Sequence, residues 1–342
     1  MSAVASPRWF PHYYHAPSDS VAFVERGEAD YRAAAFLDDS SLAPGAPRHI
    51  VPWSQVATLV PADARRDVQY IFHLGHVGST LISRLLGELP EVLALREPVI
   101  LRDFAAQLAE RGAPDALWHP ASIPGRLDGL TALLSRTFRP GQRVMVKAAS
   151  AVSEIAGDLV PPGSKALLLY TGPERYMETI LAGENSRARH RQEAATRLAR
   201  LNRRSGGPRW SAEGMSEGEI VASAWACELA SLVAAAERLG PDAVLWLEFD
   251  AFLADPEAEL RRLAAFFDLD SAASASLARH PLMGRYAKAL DYAYTPEVRA
   301  ELLAEARREH SEALSQGLAW LEAAAALSPT VQRCLDAAAA AH

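Results

Sequence analysis

Short apolar runs alternate with longer amphipathic stretches between residues 68 and 270. VQYIFHL at 68–74 leads into a glycine-containing turn and then TLISRLLGEL, where Leu81, Ile82, Leu85, Leu86 and Leu89 recur at helical spacing. The pattern predicts strand, loop, helix. Further short runs at 92–95 (VLAL), 143–148 (RVMVKA), 165–170 (KALLLY) and 243–249 (AVLWLEF) read as buried strands. Segments 128–138, 153–159 and 216–239 read as helices between them. Buried strands separated by helices imply an α/β fold with a mostly parallel sheet flanked by helices, in which ligands sit beyond the carboxyl ends of the strands. After Asp255-Pro256, a capping residue and a first-turn proline, EAELRRLAAFFDL is expected to close the core as an amphipathic helix.

Three regions follow from these patterns. Residues 1–66 mix aromatics, prolines and acidic turns without helical period and are expected to pack on the core as an extension of short strands and loops. Its aromatics Trp9, Phe10, Tyr13 and Tyr14 are expected to pack there, the alternative being that they line an acceptor pocket. Residues 67–270 form the α/β core. Residues 271–342 are helical, with a loop around 280–294, and the tail from Cys334 continues a terminal helix.

Composition narrows the function. With 342 residues, 49% of them apolar, the chain can bury a sizeable core. A net charge of −7 argues against general nucleic-acid binding, so an anionic ligand has to be caught by local geometry. Cys227 and Cys334, far apart and without neighbouring ligands, signal neither a disulfide framework nor a zinc site. No basic stretch followed by an apolar one opens the chain and no long unbroken apolar run occurs, so neither an export signal nor a membrane span is expected, and a cytoplasmic location is.

The loop His73-Leu74-Gly75-His76-Val77-Gly78-Ser79-Thr80 sits where strand turns into helix, so backbone N–H groups and the positive end of the helix dipole converge there. Gly75 and Gly78 permit close approach of an anion, and the Ser79 and Thr80 hydroxyls add donors. The alternative is an ordinary glycine turn with a hydroxyl cap. Serine, not lysine, follows Gly78, so this is not the nucleotide-triphosphate motif GxxxxGK[ST].

The run YIFHLGHVGSTLISRLLGELPEVLALREP resembles the phosphosulfate-binding segment of the sulfotransferase family, with Gly78, Ser79, Thr80 and Glu97-Pro98 at the matching places. VMVKAAS, KALLLYTGPERYMETIL and LWLEFDAFLADPEAELRRLAAFFDL resemble later family segments in the same order, over about 200 residues. The resemblance implies a P-loop-type core that moves a sulfuryl group from 3′-phosphoadenosine 5′-phosphosulfate (PAPS) to a hydroxyl or amine without a required metal. It implies a donor site at Gly75, His76, Val77, Gly78, Ser79 and Thr80. His76 stands where many members carry a lysine, and an imidazolium is expected to do that work. Where the family grips the 3′-phosphate with an arginine and a serine, this chain has Thr171 and Thr179; Arg175, Arg285 and Lys288 are the cations expected to compensate for Thr171.

Sulfuryl transfer needs alignment, neutralisation of the leaving group and a base. Glu97 is the expected base, the alternative being a simple ion pair with Arg96 or Arg102. His73 is a second candidate, its position within an apolar strand pointing rather to a core histidine. Lys147, at the end of its strand, is the expected further cation. The arginine-rich segment 187–209 reads as a basic lid or as a solvated helix followed by a loop. Two other readings stay open: a non-catalytic anion- or nucleotide-binding protein of degenerate sulfotransferase fold, and a P-loop kinase using Glu248 or Asp250 for magnesium. The acceptor, whether small alcohol, sugar, peptide or lipid, is not specified by any motif, nor is the oligomeric state.

Overall fold

The computed structural model describes residues 6–340; the first five residues of the N-terminal extension and the last two of the C-terminal region lie outside the described residues. β1 (Trp9–His15), β2 (Ser20–Glu25) and β3 (Arg48–Pro52) form a small antiparallel sheet in the order β1-β2-β3. The register slips between Pro11 and Tyr13, where proline offers no N–H to the ladder. Phe10 and Tyr14 are buried in the core shared with the main sheet, and Tyr14 packs edge-on against Trp53, Phe104 and Trp118.

The main sheet comprises β4 (Gln69–His73), β5 (Val92–Arg96), β6 (Arg143–Lys147), β7 (Ala166–Tyr170) and β8 (Val244–Glu248), all parallel, in the order β5-β6-β4-β7-β8. Every residue of β4, β5 and β7 is buried, the mark of strands covered on both faces. Burying Leu167, Leu168 and Leu169 stabilises the sheet by roughly 1.5–3 kcal/mol each. The chain adds strands on one side of β4 and then on the other, so the carboxyl end of β4 is the switch point where such sheets open a crevice.

Helix boundaries moved where tertiary contacts override local pattern. The helix expected at 128–138 is Ile123–Leu134, and 153–159 divides into a 3₁₀ turn Ser150–Ile155 and a short helix Ala156–Leu159. The helix expected at 216–239 is Glu217–Leu239, started by a reciprocal capping box: Ser216 Oγ accepts from Glu219 N at 3.3 Å while Glu219 Oε2 accepts from Ser216 N at 2.7 Å. This helix is long and apolar enough to cross a membrane, a property not expected from the sequence, but it is mostly buried as the central helix of the fold. Helices Pro296–Glu309, Ser311–Leu327 and Pro329–Ala340 complete the described chain.

Candidate functional site

β4 ends in His73, and the chain then makes the turn Leu74–Gly78 before the helix Ser79–Gly87. Gly75 (φ +89°), His76 (φ +56°) and Gly78 (φ +69°) are all left-handed, which coils the loop tightly at the helix start. At Gly78 the constraint is double: a Cβ there would lie 1.9 Å from the Phe249 ring. His73 fixes the entry to the loop. Its Nε2 donates to Ala148 O at 2.8 Å and its Nδ1 accepts from Gly75 N at 2.8 Å, so both nitrogens are engaged. Burial, and then the Lys147 ammonium, hold its pKa well below the ordinary histidine value. His73 is therefore a neutral structural residue.

A cavity of about 640 Å³ opens at this loop. Its walls include His76, Ser79 and Thr80 from the loop, Glu97 and Lys147 from the ends of β5 and β6, and Thr179, His190 and Arg197 beyond β7. Arg285 and Lys288 face it from the segment after residue 280. Ser79 and Thr80 are buried, and Thr80 Oγ1 has no hydrogen-bond partner, an orphan polar atom at the place where an anion's oxygens are expected.

Lys147 is 1% exposed and its ammonium donates to Glu97 Oε1, while Arg102 Nη2 donates to Glu97 Oε2 at 2.9 Å. Burial works to raise the Glu97 pKa, but Lys147 and Arg102 outweigh it and hold the carboxyl at about 2. A proton taken there breaks both contacts, so Glu97 is an engaged ion-pair partner rather than a free base. Arg96 is not its partner: that guanidinium donates to the carbonyls of Ala34, Tyr31 and Arg32.

Burial, then Lys288, His190, Arg189 and Arg197, lower the His76 pKa to about 3, so these groups favour a neutral imidazole and oppose the imidazolium expected beside an anionic donor. His190 lies 6.2 Å away, ring centre to ring centre, with Nδ1 donating to Ser186 O at 2.8 Å and Nε2 accepting from Tyr176 Oη at 3.0 Å.

The four residues expected to compensate for or assist at the 3′-phosphate divide. Arg175 is absent from the cavity wall; its guanidinium is held by Asp250 at 2.9 Å and Glu178 at 2.8 Å. Thr179 lines the cavity with its hydroxyl donated to Arg175 O at 2.8 Å. Arg285 and Lys288 line it too, and their side chains make no hydrogen bond or ion pair with the described residues. Their segment is a narrow hairpin, closed by Tyr286 N to Tyr292 O and Tyr294 N to Gly284 O, both 2.9 Å. Arg84 of the loop helix donates to Ala287 O at 2.8 Å and so ties the hairpin to the anion loop.

The arginine-rich segment is a helix followed by a loop, as one reading expected, but the helix is solvated on its outer face only. Residues Glu184–Ser205 form one helix whose inner arginines are buried against carboxylates. Arg200 grips both oxygens of Glu228 at 2.9 and 3.1 Å and reaches Glu154 at 3.0 Å; Arg197 pairs with Glu193 at 2.6 Å. The carboxylates that a magnesium-dependent reading requires are also engaged. Glu248 accepts from Ala251 N at 2.6 Å, and Asp250 is paired with Arg175 and Arg299.

Sequence reading missed Phe249 and Tyr176 as cavity residues, whereas His190 and Arg197 lie within the arginine-rich segment that one reading set over the ligand. Phe249 directly follows β8, and the carboxyl end of a parallel strand was a signal that could have found it. Tyr176 comes from a helix packed beyond β7 and carries no local signal.

Residues 188–273 match the model of the sulfotransferase family. No curated protein matches the chain significantly. Among solved structures, the sulfotransferase domain from the curacin biosynthetic pathway overlaps 72% of this chain and 96% of its own at 14% identity and a TM-score of 0.42. The sulfotransferase from Alicyclobacillus acidocaldarius overlaps 76% and 95% at 15% identity and a TM-score of 0.37. Sulfotransferase STF9 from Mycobacterium avium overlaps 75% and 79% at 16% identity and a TM-score of 0.39. Overlaps this loose have no bearing on function. The family match takes in most of the arginine-rich helix, the central helix, β8 and Phe249, and on it this chain carries a sulfotransferase-family region at residues 188–273.

Proposed function

We propose that the protein transfers a sulfuryl group from a phosphosulfate donor of the PAPS type to a hydroxyl or amine. The observation that carries this reading is the left-handed loop Gly75–Gly78 opening the helix that presents Ser79 and Thr80, at the mouth of a cavity walled by Lys147 and Lys288. The amides of the loop, the Ser79 hydroxyl and the unpartnered Thr80 hydroxyl suit the oxygens of a 5′-phosphosulfate. Lys147 spends one of its three N–H donors on Glu97 and keeps two for charge that develops on the leaving phosphate. Lys288 and Arg285, with Thr179, are the groups suited to a 3′-phosphate, Arg175 being occupied elsewhere. In this reading Glu97 holds Lys147 in place. The chain's own groups supply all these contacts without a metal.

Calorimetric titration with 3′-phosphoadenosine 5′-phosphate (PAP), the desulfated donor, tests it. Micromolar binding by the wild type, weakened at least tenfold when His76 and Ser79 are both replaced by alanine, is the expected result. A folded wild type that binds no PAP sinks the donor assignment.

A further inference from the structure

Sulfuryl transfer to an O–H or N–H leaves a proton to be taken, and the cavity's basic groups can be counted one by one. Each carboxylate on its wall is already paired: Glu97 with Lys147 and Arg102, Glu193 with Arg189 and Arg197, and Glu228 with Arg200 and Arg197. His73 uses both nitrogens to shape the loop, and His190 uses both on Ser186 and Tyr176. Burial raises the pKa of the Tyr286 and Tyr294 phenols, and Tyr176 donates its own proton to His190. His76 remains. It lines the cavity from the centre of the anion loop, and its ring nitrogens make no hydrogen bond with the described residues.

We infer that His76, as a neutral imidazole, is the base that takes the acceptor's proton, an assignment that rests on the sulfuryl-transfer reading above. Taking a proton at Glu97, Glu193 or Glu228 breaks an ion pair, at His73 releases the loop, and at His190 gives up the hydrogen bond from Tyr176. The groups that face His76 are Lys288 from the hairpin and His190, Arg189 and Arg197 from the arginine-rich helix. Burial, then these cations, keep the ring unprotonated until a proton is pushed onto it. The acceptor oxygen or nitrogen then forms its bond to sulfur as the sulfur–oxygen bond to the 5′-phosphate breaks. That electron pair stays on the phosphate oxygen, the acceptor's proton moves to a ring nitrogen of His76, and the imidazolium returns it to solvent once product has left. The ion pair of Glu97 with Lys147 is left intact throughout. His76 thus does the opposite of a loop lysine, which enters the reaction already charged.

Nitrogen-labelled histidine spectra of the protein saturated with PAP report the ring's charge directly, with His76→Asn used to assign the signal; asparagine tolerates the left-handed backbone. His76 neutral at pH 7 in that complex is the expected result. The turnover of PAPS separates the roles further. His76→Asn and His76→Lys should both bind PAP and both lose about 10²-fold or more in rate, the usual worth of a general base. A His76 that is charged at pH 7 with PAP bound, or a His76→Lys variant that keeps its rate, overturns the assignment while leaving the donor site standing. Failure of the wild type to bind PAP removes the donor reading and this one with it.

Discussion

His73, His76 and His190 surround the carboxyl end of β4, and all three are drawn below the ordinary histidine range, first by burial and then by neighbouring cations or one another. For His190, which is 2% exposed, the value is about 4, with Arg197 the leading neighbour. The sign of the consequence is set by the unfolded chain, whose histidines bind protons below about pH 6.5 while the folded ones do not. Stability should therefore be intact above that pH and be lost as pH falls toward 4. His190 alone accounts for about 2 kcal/mol between pH 7 and pH 5. Urea denaturation at the two pH values measures it, and His190→Gln should flatten the difference by that amount. An unchanged pH dependence in the variant would remove His190 as its source. At this scale the identities of the loop residues were legible in the sequence, but their charges were not. Lys147 and Glu97 are 50 residues apart and His76 faces Lys288 from another region, so no local pattern could show that the first two pair or that His76 is neutral.

The central helix Glu217–Leu239 and helix Ser311–Leu327 cross at glycines. A Cβ on Gly218 would lie 1.8 Å from Ala313 O, and one on Gly317 would lie 2.2 Å from Met177 Cε and 2.6 Å from Gly218 O. Intrinsic helix propensity predicts that Gly218→Ala stabilises by up to ~1 kcal/mol. The crossing predicts the reverse, a loss of about 1–3 kcal/mol or more from overpacking. Chemical denaturation of Gly218→Ala decides by sign, a gain in stability meaning that the helices can separate freely. The elements were mostly legible because burial on both faces leaves continuous apolar runs and a core-facing helix repeats its leucines. The burial of the inner arginines of the arginine-rich helix was not legible, because charge pattern alone cannot distinguish guanidinium groups facing water from those facing buried carboxylates. Glu154 and Glu228, which decide the matter, lie in other elements.

Across the whole molecule, the ion network of Arg197, Arg200, Arg204, Glu154, Glu193 and Glu228 joins the arginine-rich helix to the central helix and to the turn after β6. Breaking a buried pair costs about 3–5 kcal/mol because the remaining charge is left uncompensated. Arg200→Met should lose stability on that scale, and Arg200→Met with Glu228→Gln should lose less than the two single changes added together. A strictly additive double variant would show that the charges do not interact.

The order of strands and helices, the position of the anion loop and the two hydroxyls at its helix start follow from the sequence by itself, because each depends on neighbours within about ten residues. Which charges are free was decided only by the tertiary structure. Arg175 was withdrawn by Asp250, Lys147 was tied to Glu97, Phe249 was placed against Gly78, and Arg285 and Lys288 were carried to the cavity by a hairpin pinned to Arg84. The physical reason is range: hydrophobic periodicity is written along the chain, whereas a charge takes its state from burial and from partners that folding brings together from distant parts of it.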